Sequence, residues 1–520
     1  MGSPTLARRG RLLLAAALLL SLLGLVPRMA GELASPALAS GSPALGILPW
    51  YPAWGATLSD RMDLSVNLGN GNPVLHSSDL AIKGGGLDLA IDRCYNNLAT
   101  TTGSVARGWT LGVGQDVNLK VLPGISATFT GPGGDQFVFS LNGDGSYASP
   151  PGADATLVKN GDGTFTLKFQ ATGMYDTFTS AGVLTASHDQ NGNLIQFLTY
   201  PALRNQPVNG ISQIYDNEDR YTKVTSYSNL GRIAGFADPT GRTLGYLADN
   251  IPNLTTFTDA AGKQTLYGYD HLRRNLVQIT DPNNQVTALG YDSSNRVTSI
   301  ALGSGSSVAG TYTFTYNSGN TVVTDPTNHQ ATYSYDGQGR LTGITDALGN
   351  SQGWSWTADN HVQQYTDAKG KVTNYSYDGN NNLTHVQLPP VSLSAGPTMS
   401  WQYQDSNHPY YPTGVTDPQG NTTTYHYTPA GNPDVITDAL PSQNQTQLSY
   451  TLRGEVYQVV DARGNTTTYD YDLFGNLTTI TPPSPMGGIT IARASATSIT
   501  LTLTYSPANG SLAKGIALEA

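Results

Sequence analysis

The chain is 520 residues long, carries a formal charge of −10, and spends only 12% of its residues on Asp, Glu, Lys and Arg, about half the usual share of roughly 25%. An acidic chain poor in Lys and Arg lacks the electrostatic footprint of a nucleic-acid binder, and a lone cysteine, Cys94, excludes an intrachain disulfide framework and a multi-cysteine zinc site. Gly is abundant at 58 residues and Tyr outnumbers Phe by 29 to 11, a composition of short strands and tight turns rather than of helices or disorder.

The first element in chain order is an address. Arg8, Arg9 and Arg11 precede the apolar run LLLAAALLLSLLGLV, and Ala37-Leu38-Ala39 offers a small-residue cleavage site before Ser40. Residues 1–39 therefore read as a secretory signal peptide, with an uncleaved anchor as the alternative. The apolar run falls short of the about 20 residues that span a bilayer, and no later segment is apolar enough to cross one. A secreted or cell-surface location follows, with no membrane contact after cleavage. Residues 40–62 are rich in Pro, Ala and Ser and read as a tether, whose Trp50, Tyr51 and Trp54 are placed to pack on the domain that follows.

From about Ser65 the pattern turns to β, and residues 63–200 read as a β-rich N-terminal domain. LNGDGSY (141–147) and KNGDGTF (159–165) each set Asp-Gly between strand-like flanks, a hairpin signal. Neither turn is followed by the ligand series of a calcium loop. Cys94 reads as a small buried apolar residue.

Residues 201–483 are a repeat array, followed by a tail, 484–520. Aspartates recur at Asp238, Asp259, Asp281, Asp325, Asp346, Asp367, Asp417, Asp438 and Asp461, a period near 21 with an insertion near LPPVSLSAGPTMS. One unit holds two strands. ATYSYD (331–336) is the first, GQG turns the chain, RLTGIT (340–345) is the second, and DALGN turns it again. Tyr333 and Tyr335 share a face by the period-2 rule, and stacked units line such pairs into aromatic ladders. The second strand breaks that rule, because its apolar residues sit three apart: Leu276/Ile279, Leu341/Ile344, Leu477/Ile480. Either both faces of the sheet are partly covered, or each unit carries a β-bulge that re-aims one side chain; the bulge is the preferred reading, because bulges at equal intervals bend a sheet in one direction, as suits a sheet that curls around a hollow. The recurring Asp occupy turn positions, where their carboxylates bond nearby amides.

No pattern for chemistry stands out. The eight histidines form no metal-binding pair, and no nucleophile elbow or phosphate loop occurs. No catalytic residue, cofactor or metal site is expected. Sugar binding is the rival to pure packing, since Trp354, Trp356 and Trp401 lie among many Asn and Thr.

The unit YD-x-x-G-R/N-L-T-x-I/V-T-D-x-x-G-N resembles the YD repeat of Rhs proteins, of the C components of insecticidal Tc toxins and of teneurins. Its signature positions here are Tyr335, Asp336, Gly339, Arg340, Leu341, Asp346 and Gly349, then Tyr377, Asp378 and Leu383, and finally Tyr471, Asp472, Gly475 and Leu477. GNGNPVLHSSDLAIKGGGLDLAIDRCYNN (70–98) with Gly108-Trp109-Thr110 is similar to the domain preceding the repeats in bacterial Rhs proteins, matching at Gly71, Asn72, Val74, Asp79, Leu80, Gly86, Leu87, Leu89, Arg93, Tyr95 and Asn96. The resemblance implies an all-β fold in which tandem hairpins form a large, curved, spiralling antiparallel sheet, part of a hollow shell. In relatives that shell encapsulates a C-terminal toxin. The expected role is a non-catalytic scaffold, and the alternative is a cell-surface carbohydrate-binding or adhesion protein. The repeat region is short for a closed shell and lacks an end-of-core Asp-Pro-x-Gly cleavage motif. The expected partners are accordingly a further C-terminal shell or toxin portion, a shell-closing partner, or surface glycans.

Overall fold

The computed structural model describes residues 45–199, 210–303, 309–390, 395–439, 444–483, 489–495, 498–505 and 512–519. Apart from one 3-10 turn at Gly114–Asp116, these residues form strands and turns. The strands make three antiparallel meanders: five strands from Ala53–Ser59 to Trp109–Leu111, four from Asn118–Leu122 to Tyr147–Ala148, and 33 from Ala155–Lys159 to Leu512–Glu519. Within each sheet every strand pairs with its neighbours in sequence, as tight turns between short strands require.

The signal-peptide segment lies outside the described residues. The segment read as a tether belongs to the fold from residue 45 on. Ala53–Ser59 is the edge strand of the first sheet, Trp50 and Tyr51 are buried together, and Trp54 packs on Tyr312 and Phe314 at ring distances of 5.0 and 5.5 Å. The long sheet starts upstream of residue 200, since Leu194–Thr199 pairs with Ile211–Tyr215. The tail supplies strands Ile489–Ser495, Ser498–Tyr505 and Leu512–Glu519 to the same sheet.

The bulge expected from the three-residue spacing is present. Tyr333 opposes Ile344, Ser334 opposes Gly343, and Tyr335 opposes Leu341, so Thr342 is the extra residue. The same shift recurs at Gly268/Tyr269, Gly290/Tyr291, Ser376/Tyr377, His426/Tyr427 and Asp470/Tyr471. It puts both apolar residues of the second strand opposite the tyrosines and bends each hairpin the same way.

Repeated bending carries the ribbon round on itself. Gln170 Nε2 donates to the Tyr410 hydroxyl 240 residues later, at 3.1 Å. Asn193 Nδ2 donates to the Arg453 carbonyl 260 residues later, at 2.8 Å. Turns on one edge of the early ribbon thus meet turns on the other edge of the late ribbon, the geometry of a spiral. The two short sheets sit inside its first lap. Leu64, Leu75, Ile91 and Trp109 share one buried cluster with Phe236, Tyr246, Phe257, Leu276, Ile279 and Ile300 of the long sheet.

Candidate functional site

Each unit presents two different turns. In the first, Asp336 Oδ1 accepts from the Gln338 and Arg340 amides at 3.0 Å each, and Oδ2 accepts from Arg340 Nε at 2.7 Å. Arg340 Nη1 then reaches the Thr357 carbonyl of the next unit at 2.9 Å. Asp378 and Asp472 repeat the pattern with Asn382 and Asn476, whose Nδ2 donates to the carboxylate at 2.9 and 2.8 Å. This explains why Arg and Asn alternate at that position: both carry a side-chain N–H to a carboxylate four residues back. Gly339 adopts φ +80°, and Asn295, Asn360 and Asn381 take the left-handed conformation where Gly is absent. The second turn, Asp346 to Asn350, is built the same way but stays exposed, with Gly349 at φ +84°. The hydrogen bond from Asn350 and those from nearby amides hold the Asp346 carboxyl below its ordinary range.

The residue after the first turn faces two ways. The Leu341 amide donates to the Trp50 carbonyl at 2.7 Å, and the Leu341 carbonyl accepts from Trp356 Nε1 at 2.6 Å. The amides of Ile233 and Val297 donate to the carbonyls of Ser104 and Gly71, and the Leu276 amide donates to Asn97 Oδ1. This edge of the ribbon is therefore a seam against the N-terminal sheets, and further along against the ribbon's own first lap. The carbonyl side explains the tyrosines. The hydroxyls of Tyr291, Tyr377, Tyr427, Tyr450 and Tyr471 donate to the carbonyls of Leu276, Val362, Pro412, Pro433 and Val456 at 2.6–2.9 Å. Trp356 does the same with its indole N–H. These units are stapled to the ones before them, which a Phe cannot do. The excess of Tyr over Phe was the sequence signal for this role, and composition alone did not reveal it.

Removing one staple leaves a carbonyl unpaired. Tyr377→Phe is expected to cost about 0.5–1.5 kcal/mol, with Tyr427→Phe and Tyr471→Phe adding to it because each acts on its own pair of units. Urea unfolding of the single and triple variants measures this, and a triple variant with the wild-type midpoint would refute the staple.

The face carrying these rings changes character along the ribbon. Up to Val323 it is covered by the short sheets. Beyond Tyr333 the same face continues through Ile344, Trp354, Tyr365, Tyr375, Val386, Trp401, Tyr425, Ile436 and Leu448, all half-buried. Trp354 packs on Tyr365 with ring centroids 5.3 Å apart. Of the tryptophans considered for sugar contact, Trp354 and Trp401 lie on this inner face, while Trp356 is a staple.

Groups suited to chemistry are dispersed. His361 pairs with Asp154, His408 with Asp405, His426 with Asp434 and His329 with Asp325, each a separate pair. Among the described residues no group of three His, Cys, Asp or Glu is placed to hold a metal ion. Asp144 and Asp162 of the NGDG turns accept from Ser146 and Thr164 of their own turns. Cys94 is buried. No helix among the described residues is long and apolar enough to cross a membrane.

Comparison with known proteins matches residues 275–307, 316–351, 356–389, 412–443 and 450–484 to the RHS Repeat family, and residues 64–139 to a domain of unknown function, DUF6531. No curated protein matches the chain. Among solved structures, the crystal structure of TcdB2-TccC3 without its hypervariable C-terminal region aligns over 80% of this chain and 23% of its own, at 13% identity and a TM-score of 0.43. TcdB2-TccC3-TEV aligns over 96% and 33% at 12% identity and a TM-score of 0.37. The Photorhabdus luminescens Tc holotoxin pore aligns over 88% and 32% at 12% identity and a TM-score of 0.33. The chain thus spans about a quarter to a third of the length of these proteins. The matched repeat segments, with their bulged hairpins and tyrosine staples, and the matched domain ahead of them show that this chain carries RHS repeats behind a DUF6531 domain.

Proposed function

We propose that this protein is a non-catalytic scaffold, a section of shell wall whose inner aromatic face holds apolar polypeptide away from water. The observation that carries this reading is the change along one continuous face. Where the short sheets cover it, Leu276 and Ile279 are buried; beyond Tyr333 equivalent residues such as Leu341 and Ile344 are half-exposed. An apolar surface of that extent signals a binding partner. The recurring Asp, Gly, Tyr and Leu positions are structural in this reading: Asp336, Asp378 and Asp472 build turns, and Tyr335, Tyr377 and Tyr471 form the ladder. The cargo is a polypeptide segment such as a toxin, and the free end of the ribbon is closed by a further shell portion or a separate partner. The apolar N-terminal segment with its arginines supports delivery outside the cytoplasm.

The test uses a permanently unfolded apolar chain, reduced and carboxymethylated α-lactalbumin, carrying a fluorescent label. Anisotropy is expected to report binding to the wild type and at least tenfold weaker binding to the triple variant Trp354→Ser, Tyr375→Ser, Ile436→Ser. Absence of binding to the wild type would overturn the reading.

A further inference from the structure

A recess of about 210 Å³ opens between the first sheet and the ribbon. Strands Pro73–Ile82 and Leu89–Asn96 supply its floor through Ser77, Asp79 and Arg93. Its rim comes from the turn at Asp60 and Arg61 and from the ribbon turns that begin at Asp259 and Asp281.

A bulge shapes the floor. Ser77 opposes Arg93, Ser78 opposes Asp92 and Leu80 opposes Ile91, so Asp79 is the extra residue. Bulges re-aim side chains, and this one turns the Asp79 carboxylate inward onto Arg93. Asp79 is then fully engaged, by Arg93 Nε and Nη2 and by the Tyr246 hydroxyl. Arg93 is not. Its Nη1 has no hydrogen-bond partner, although the residue is only 1% exposed. The Ser77 hydroxyl, across the strand pair and 4% exposed, has none either. Native proteins pair nearly all of their buried polar groups, so two neighbouring orphans on the floor of one recess mark a place for acceptor oxygens.

The rim has the opposite character. Asp259 Oδ1 accepts from the Ala261 and Lys263 amides, and Asp281 Oδ1 from the Asn283 and Gln285 amides. Among the described residues neither Oδ2 accepts a hydrogen bond, and neither carboxylate has an ion pair. Asp60 and Arg61 lie 3.8 Å apart and cancel, which leaves two carboxylates against the single ammonium of Lys263.

We propose that this recess binds a small free amino acid as its zwitterion. The carboxylate goes to the floor, where Arg93 Nη1 and the Ser77 hydroxyl donate to it. The ammonium stays at the rim, against the free Oδ2 atoms of Asp259 and Asp281. A simple anion would meet the acidic rim, and a simple cation would leave the floor unanswered. The volume lies below the about 300–1,000 Å³ of drug-sized sites, which restricts the ligand to a small molecule. The site is apart from the face assigned to cargo and stands if that reading fails.

The experiment is calorimetry of the full chain with alanine and with 4-aminobutanoate, which set the same two charges at different spacings. Propionate and propylamine, each with one of the charges, are the controls. The tighter of the two amino acids is expected to bind at least tenfold more tightly than either control. Ser77→Ala is expected to weaken it at least fivefold, and the fold tolerates the change because the hydroxyl bonds nothing. The double variant Asp259→Asn with Asp281→Asn is also expected to weaken it at least fivefold while leaving propionate no weaker. Both turns survive, because an Asn Oδ1 accepts from the same amides; urea midpoints of the variants check this. No binding of either amino acid, equal binding of propionate or propylamine, or amino-acid binding that either folded variant leaves intact would overturn the proposal.

Discussion

Asp79→Ala is expected to destabilise the protein by about 3–5 kcal/mol. Asp79 and Arg93 pair where the N-terminal sheet meets the ribbon, each with 1% of its side chain exposed. Arg93 Nη2 donates to Asp79 Oδ1 at 2.8 Å, and the Tyr246 hydroxyl of the long sheet donates to Oδ2 at 2.8 Å. The guanidinium carbon lies 4.6 Å from the Trp109 ring centroid and 4.5 Å from that of Phe257. Removing the carboxylate leaves a desolvated cation that the rings only partly compensate. Removing both charges tells pairing from packing: Asp79→Leu with Arg93→Met is expected to recover most of the loss, because apolar replacement of a buried pair is often neutral or better. Urea unfolding followed by the fluorescence of Trp109 and its neighbours gives the comparison. A single variant within about 1 kcal/mol of wild type would mean the pair is reached by water.

The sequence carried what is local. Apolar residues three apart predicted the bulge, because only an extra residue returns both to one face. The Asp-x-x-Gly-Asn phrase predicted the turns, because Asp bonds amides two and four residues on and Gly or Asn takes the positive φ. What lies hundreds of residues apart was hidden. Asn432 bears no mark that sets it apart in the repeat, yet it bonds Gln190 and Asn191 across the seam, and nothing in its spacing tells which lap lies beyond. The long connection at residues 403–413 was masked by its neighbour: the 50-residue step between Asp367 and Asp417 absorbed two long connections, and LPPVSLSAGPTMS was the more conspicuous. Residues 40–62 read as a tether because the segment is rich in Pro, Ala and Ser, while the few side chains that anchor it, Leu48, Trp50, Tyr51 and Trp54, find partners in the ribbon.

Gly71→Ala is expected to cost about 3 kcal/mol or more, far above the cost of the same change at Gly349. Both glycines hold positive φ, +74° and +84°, a conformation that costs a residue with a Cβ about 1–2 kcal/mol. At Gly349 nothing lies within 4 Å of an added Cβ, so that strain is the whole effect. At Gly71 the Cβ would meet the Arg296 Cβ at 2.4 Å and its Cα at 2.9 Å. The Cα belongs to a turn whose carboxylate, Asp292, is already locked to the Arg296 amide and guanidinium, so the turn cannot yield without breaking those bonds. Overpacking of that kind typically costs a further 1–3 kcal/mol. Separation also removes the bond from the Val297 amide to the Gly71 carbonyl, 3.0 Å long, worth about 1 kcal/mol. The damage falls on the seam rather than on either sheet, so limited proteolysis is expected to open the ribbon near residues 292–297 in Gly71→Ala and to leave Gly349→Ala as resistant as the wild type. Equal destabilisation by the two substitutions would show that the seam at Gly71 yields without cost, and that the N-terminal sheets rest on the ribbon without being locked to it.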